Sequence, residues 1–198
     1  MVGFIGLGIM GKPMARNLLK AGVELMVNDV NRSVVEELAA EGAKAAARQE
    51  IGAACDVVFT ILPNGAIVQD VLFGGDGVAA SLKAGAIVCD CSSVTPTESH
   101  TCADKLAEAG VGFVDAPVSG GEPGAVNGTL AFMAGGAQKD FDALKPYFDI
   151  MGSSALLVGG TGSGSVTKLA NQVIVNNTIA VVSEAFVLAA KAGADPVK

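Results

Sequence analysis

The chain of 198 residues has no tryptophan and a single tyrosine, so its core has to be filled by aliphatic side chains and phenylalanine. Charged residues make up only 17% of it, and the balance is acidic, with a formal net charge of −7. A duplex nucleic-acid partner is excluded on that ground, because phosphate backbones need a basic face. Cysteine is scarce: Cys55, Cys89, Cys91 and Cys102 fit neither a disulfide framework nor a zinc ribbon, and no metal is expected. They read as inert core thiols of a reducing compartment, which makes the cytoplasm the expected location. No uninterrupted apolar run reaches the roughly 18 residues a membrane span needs, so no membrane partner is expected. The longest apolar region, Ile174 to Ala190, is broken by Asn176, Asn177, Thr178, Ser183 and Glu184. The first residues, MVGFIGLGIMG, lack the basic leader of a signal peptide. Internal repeats and low-complexity tracts are absent too.

What the chain does have is apolar content of 51% and 26 glycines. The first excludes a disordered polymer. The second implies many tight turns or close backbone approaches. Short apolar runs alternate with helical patterns. Val2–Ile5 reads as a buried strand, followed by glycines and a helix from about Met10 to Ala21. Leu25–Val27 is a second strand, closed by Asn28-Asp29. Ser33 is expected to cap the next helix, with Glu36 completing a capping box. Further strands are expected at Val57–Ile61, Ala86–Cys89, Gly112–Val114, Thr129–Met133 and Ala155–Val158. Strands this apolar are covered on both faces, as in a parallel sheet. The rhythm predicts an α/β, Rossmann-type doubly wound fold with a mainly parallel sheet. From about Ser165 to Ala192 the pattern changes to one long helix without Pro or Gly. The expected division is a dinucleotide-binding domain over 1–161 and, over 162–198, the first long helix of a helical domain otherwise absent from the chain.

Gly6-Leu7-Gly8-Ile9-Met10-Gly11 is G-x-G-x-x-G placed between a strand and a helix, the context in which that spacing carries meaning. Gly6 permits the turn, Gly8 lets backbone approach a pyrophosphate, and Gly11 lets helix pack on strand. The helix N-terminus then offers free N–H groups to phosphate. Asp29, at the end of the second strand, can accept from ribose hydroxyls and would repel a 2′-phosphate, which favours NAD over NADP. Arg32 reads equally as a partner for such a phosphate, keeping NADP open, or as a solvated helix-start residue.

Phe4 to Gly22, FIGLGIMGKPMARNLLKAG, resembles the N-terminal signature of the β-hydroxyacid dehydrogenases. Asp115-Ala116-Pro117-Val118-Ser119-Gly120-Gly121 resembles that family's substrate-binding motif, and Gly162 to Gln172 its catalytic helix. The resemblance runs the length of the chain in family order. Gly120 to Leu130 and Val166 to Val175 look closest to the tartronate semialdehyde (2-hydroxy-3-oxopropionate) reductase branch, with the 3-hydroxyisobutyrate branch as the alternative. The likeness implies NAD(P)-dependent interconversion of a short β-hydroxyacid and its semialdehyde. It implies that Leu62 and Pro63 flank the adenosine side of the cofactor and that Ser93 lies near the nicotinamide ribose. Ser119, Gly120 and Gly121 would hold a small carboxylate substrate, Lys168 would be the acid/base, and Asn171 or Gln172 would orient substrate. Relatives continue into an all-helical domain that brings a second lysine, so the site is expected to be incomplete within 198 residues.

Chemistry supports the lysine separately from the resemblance. Reducing an aldehyde needs a proton for the developing alkoxide, and a lysine in a partly dry site has its pKa lowered toward neutrality. The single histidine, His100, lies in a Thr/Ser/Glu-rich stretch away from the glycine turns and reads as a surface helix residue. Two other readings stay open. One is a non-catalytic NAD-binding module, which would not need Lys168, Ser119 or Gly120. The other is homo-oligomerisation through the C-terminal helix, whose Ile174, Val181, Val182, Phe186 and Val187 have no obvious cover.

Overall fold

The computed structural model describes all residues from 1 to 198. Strands β1 (Val2–Ile5), β2 (Leu25–Asn28), β3 (Lys44–Ala45), β4 (Val57–Thr60), β5 (Ile87–Asp90) and β6 (Gly112–Asp115) are joined by α1 (Gly11–Lys20), α2 (Arg32–Ala40), α3 (Arg48–Ala54), α4 (Gly65–Phe73) and α5 (Pro96–Ala107). They form the parallel part of one sheet in the order β3-β2-β1-β4-β5-β6. The order reverses direction at β1, between β2 and β4. That is the topological switch point, where a crevice opens beyond the carboxyl ends of the strands. The fold class expected from sequence is the one found.

The far side departs from a purely parallel sheet. Strands β7 (Val118–Ser119) and β8 (Leu130–Gly136) flank α6 (Gly121–Asn127), and α7 (Gln138–Met151) leads into β9 (Gly152–Gly159). β8 runs antiparallel to β6 and β7, with Asp115 opposite Gly135 and Ser119 opposite Ala131. The register is continuous across Ala116-Pro117, so β6 and β7 form one interrupted edge along β8. β9 pairs parallel to β8 on the other side. Expected as an interior strand, β9 instead alternates half-buried and exposed residues, because it closes the sheet and only one face has cover.

Side chains alternate across the strands, as the pleat requires. Val2, Phe4, Val57, Phe59, Ile87 and Cys89 enter one core with Met14, Leu18, Phe132 and Phe148. Ile5, Val58, Val88 and Phe113 enter a second core on the opposite face, with Ile51, Leu72 and Leu106. In the absence of tryptophan, phenylalanines centre the first core: Phe59 lies 6.0 Å from Phe4 and 6.3 Å from Phe148, and Phe148 lies 4.6 Å from Phe132. All four cysteines are buried and unpaired. Burial raises the thiol pKa of Cys55 and Cys89, and takes that of Cys102 to about 11.

One expected cap is displaced. Asn31, not Ser33, is the N-cap of α2, and its side chain accepts from the Ser33 N–H. The reason lies upstream, where Asp29 Oδ1 accepts from the Asn31 N–H at 2.7 Å and turns the chain two residues early.

The last helix, α8 (Ser163–Lys191), is attached at one end only. Its first turn is buried at Gly164 and Ser165. There the Asp115 carboxylate, at the end of β6, accepts from the Gly162 N–H at 2.7 Å and from the Ser165 N–H at 2.8 Å. A Cβ on Gly164 would lie 3.0 Å from Asp115 Oδ2 and closer still to the carbonyls of Asp115 and Met133, so only glycine lets the helix sit flush on the sheet end. The Ser165 hydroxyl meets that of Ser99 on α5 at 3.0 Å. Beyond this anchor, Ile174, Val181, Val182, Phe186 and Val187 are exposed. By length and composition, α8 is long and apolar enough to cross a membrane.

Candidate active site

Three clefts adjoin the switch point; one, of about 540 Å³ over Leu7, Lys12, Arg16 and Asn31, shares only Gly8, Ile9 and Asp29 with the next, and the other two are joined. The first of the joined pair, of about 600 Å³, is lined by Gly6, Gly8, Ile9, Met10 and Gly11 on one side and by Ile61, Leu62 and Pro63 on the other. Asn28, Asp29, Ile67 and Val71 complete most of its walls. The second, of about 490 Å³, contains Ser93, Ser119, Gly120, Gly121, Lys168 and Gln172. The two meet at Met10, Ile61, Leu62 and Pro63, which line both.

The glycine turn has the features an anion needs. No side chain caps the N-terminus of α1; the Lys12 N–H is taken by the Gly8 carbonyl at 3.0 Å and Pro13 has none, which leaves the Gly11 N–H and the turn before it to face a ligand. Gly8 is exposed, and a Cβ placed on it would meet no heavy atom within 4 Å, so the room over its backbone lies in the cleft. A pyrophosphate fits such a place: it lies at a helix start, and no side chain fills the space over Gly8. Leu7 is buried and does not line this cleft; its N–H donates to Asp29 Oδ2 at 2.6 Å. Asp29 therefore tightens the turn itself, while each carboxylate oxygen keeps a lone pair for a ribose hydroxyl.

The loops after β4 and β5 are tied by Ser92, which the sequence did not single out. Its hydroxyl accepts from the Leu62 N–H at 2.8 Å and donates to Asp90 Oδ1. Asp90 Oδ1 also accepts from the Thr60 hydroxyl at 2.8 Å. Asp90 is fully buried, and its Oδ2 has no partner. Burial accordingly pushes its carboxyl pKa upward, against the pull of the Ser92 and Thr60 hydrogen bonds.

In the second cleft, Gly120 and Gly121 both adopt positive φ, 135° and 59°, at the start of α6. Such a pair of adjacent backbone N–H groups can cradle a carboxylate. Lys168 faces this loop from α8, where burial lowers its ammonium pKa from the ordinary lysine value. Gln172 and Val175 follow on the same helix face and line the cleft with it, at spacings of one and two turns. Asn171 does not line it; its amide donates to Gln172 Oε1 at 3.3 Å. Of the two candidates for orienting substrate, Gln172 lines the cleft and Asn171 contacts Gln172 through its amide. His100 is exposed on α5, as expected, and lies outside both clefts.

Residues 1–160 match the family model described as the NAD binding domain of 6-phosphogluconate dehydrogenase. Residues 162–198 match the NAD-binding model of NADP-dependent 3-hydroxyisobutyrate dehydrogenase. The chain is 44% identical, over all of its length, to 68% of the 2-hydroxy-3-oxopropionate reductase of Escherichia coli. Over 98% of its length it is 43% identical to 65% of the 2-(hydroxymethyl)glutarate dehydrogenase of Eubacterium barkeri. It superimposes on a solved structure of Mycobacterium tuberculosis 3-hydroxyisobutyrate dehydrogenase with L-serine at a TM-score of 0.91, with 32% identity, covering 98% of this chain and 66% of that one. The chain thus spans about two thirds of the length of these relatives. A glycine turn open to an NAD(P) pyrophosphate, the lysine-bearing helix beside it and these likenesses have one explanation: the chain belongs to the β-hydroxyacid dehydrogenase family.

Proposed function

We propose that the protein is an oxidoreductase that interconverts a short β-hydroxyacid and its semialdehyde, with 2-hydroxy-3-oxopropionate reduced to glycerate as the reaction. The observation that carries this reading is the second cleft, where Lys168 and Gln172 face the Ser119–Gly121 loop at the end of the dinucleotide cleft. When bound, the nicotinamide supplies the hydride. The chain's own residues do the rest. The backbone of Gly120 and Gly121, with the Ser119 hydroxyl, holds the substrate carboxylate. Lys168 stabilises the developing oxyanion and delivers a proton to it. Gln172 orients the carbonyl. Asp29 accepts from the adenosine ribose and makes NADH the preferred cofactor.

Residues 1–161 act as the cofactor domain, and 162–198 as the first helix of a second, helical domain. The exposed apolar side chains of α8 favour a homo-oligomer built through that helix, in a cytoplasmic enzyme. The identity to the Escherichia coli reductase supports the substrate, and the similar identity to the Eubacterium barkeri enzyme makes other short hydroxyacids the competitors. The test is NADH oxidation with a panel of semialdehydes, run beside NADPH. The highest kcat/KM is expected for tartronate semialdehyde with NADH. A higher value for methylmalonate semialdehyde would move the substrate to the 3-hydroxyisobutyrate class. Tight NADH binding without turnover of any member would favour a non-catalytic module.

A further inference from the structure

The dinucleotide cleft has an end that none of the family motifs reaches. Beyond Asp29 and Leu62 its wall is completed by Arg48, the first residue of α3, together with Asp70 and Val71 of α4. The Arg48 side chain is only 15% exposed. Its Nη1 donates to Asp70 Oδ2 at 3.2 Å and to Asp76 Oδ1 at 3.1 Å. Nε and Nη2 have no partner in the chain. The guanidinium is thus fixed by two acids through one nitrogen, and the rest of it is left to the cleft.

We propose that Arg48 is a platform for the purine ring of the dinucleotide, with Leu62, Ile67 and Val71 as the apolar part of the same subsite. The proposal rests on the cofactor reading above and extends it to a residue that no motif contains. Three observations favour a base over a phosphate as the ligand of this arginine. Asp70 and Asp76 already balance its charge, and Asp29 adds another acid in the same cleft, so the local field repels a 2′-phosphate. A clamped guanidinium is flat and loses little freedom when a ring stacks on it. Lastly, Arg48 lies at the opposite end of the joined clefts from Lys168, where a dinucleotide whose nicotinamide reaches Lys168 puts its base.

The experiment is a set of binding titrations on the parent chain, Arg48→Met and Asp76→Asn, with NADH, NADPH, ADP-ribose and reduced nicotinamide mononucleotide as probes. In Arg48→Met, NADH, NADPH and ADP-ribose should weaken by the same factor, about 2- to 30-fold, the range of a desolvated cation–π contact. The mononucleotide, which has no purine, should bind as it does to the parent. Asp76→Asn keeps the arginine and loosens one clamp, and should weaken the three adenine-bearing probes by a smaller, common factor. Loss confined to NADPH would make Arg48 a phosphate receptor and overturn the proposal. Equal loss of the mononucleotide would do the same, by exposing general damage to the fold. Unchanged NADH binding in both variants would overturn it too. A parent chain that binds no NADH would instead overturn the cofactor reading itself.

Discussion

Alanine at Gly8 and alanine at Gly11 should have opposite consequences, although both glycines belong to one turn. A Cβ on Gly11 would lie 2.8 Å from Ile61 Cγ2 and 2.9 Å from the Gly6 carbonyl carbon, and would press into the Gly6 carbonyl oxygen. Carbon contacts are optimal at about 3.5–4.0 Å, so helix and strand would have to part by nearly an ångström. Overpacking of this kind costs about 1–3 kcal/mol, and a backbone neighbour that cannot swing aside puts Gly11→Ala near the top of that range. For a chain of this size that lowers Tm by about 6–12 °C. A Cβ on Gly8 would meet nothing within 4 Å, so Gly8→Ala should leave Tm within about 2 °C of the parent. Its methyl group would fill the space assigned to the pyrophosphate. The same 1–3 kcal/mol of steric cost, moved from folding to binding, raises the Kd for NADH by about 5- to 150-fold. Thermal melts and fluorescence titrations on the two variants measure both quantities. A Gly8→Ala chain that binds NADH within twofold of the parent would refute the placement of the phosphates.

Lys168→Ala should lower kcat by on the order of 10²–10⁴ and leave NADH affinity unchanged, read by steady-state kinetics beside titration. Lys168→Arg should not restore the rate, because its pKa is too high for proton exchange near neutrality. Burial holds the Lys168 pKa below the ordinary value, so reduction should decline on the alkaline side at a pH lower than a free lysine would set, and a rate flat through that range would count against the assignment. Asp90 has a raised pKa, so below about pH 3.9 both folded and unfolded carboxyls are protonated, and above it the unfolded chain ionises first. Stability of the parent relative to Asp90→Asn should therefore fall as pH rises through the carboxyl range, and melts of the two chains across pH 3.5 to 8 would expose any opposite trend.

The interior strands were legible because they are buried on both faces: β1, β4 and β5 are each four-residue runs with almost no polar side chain. β3 was not. It has two residues, both exposed, and nothing in Lys44-Ala45 distinguishes a short edge strand from a loop. The α2 cap was misplaced because both Asn31 and Ser33 are good caps, and Glu36 gives Ser33 the better local pattern. What decided between them was the Asp29 carboxylate reaching forward to the Asn31 N–H. The glycine turn was legible from spacing alone, since strand, turn and helix are contiguous. Lys168 was not; without the likeness to a family it is one of two lysines, with Lys191, on an apolar helix, and nothing local marks it out.

Asp115 shows why the remainder of the site was hidden. Its two acceptor bonds reach 47 and 50 residues forward, so no local spacing announces them. The backbone N–H groups it fills are those of a helix N-terminus, a kind of position that α1 leaves without a side-chain cap. One helix start faces a cleft and has no side-chain cap; the other is closed by a buried acid and so serves as an anchor. Asp115 also ends the strand that runs on through Ala116 and Pro117 into Ser119. A single residue therefore links two parts of the second cleft's lining: the loop that follows it in sequence, and the first turn of the helix that carries Lys168 one turn later. Burial raises the Asp115 pKa, while the Ser165 and Gly162 N–H groups oppose that shift, so the helix start stabilises the charged form of the acid that anchors it. The catalytic reading of Lys168 depends on this attachment, because the rest of α8 has little contact with the domain to hold the lysine in place.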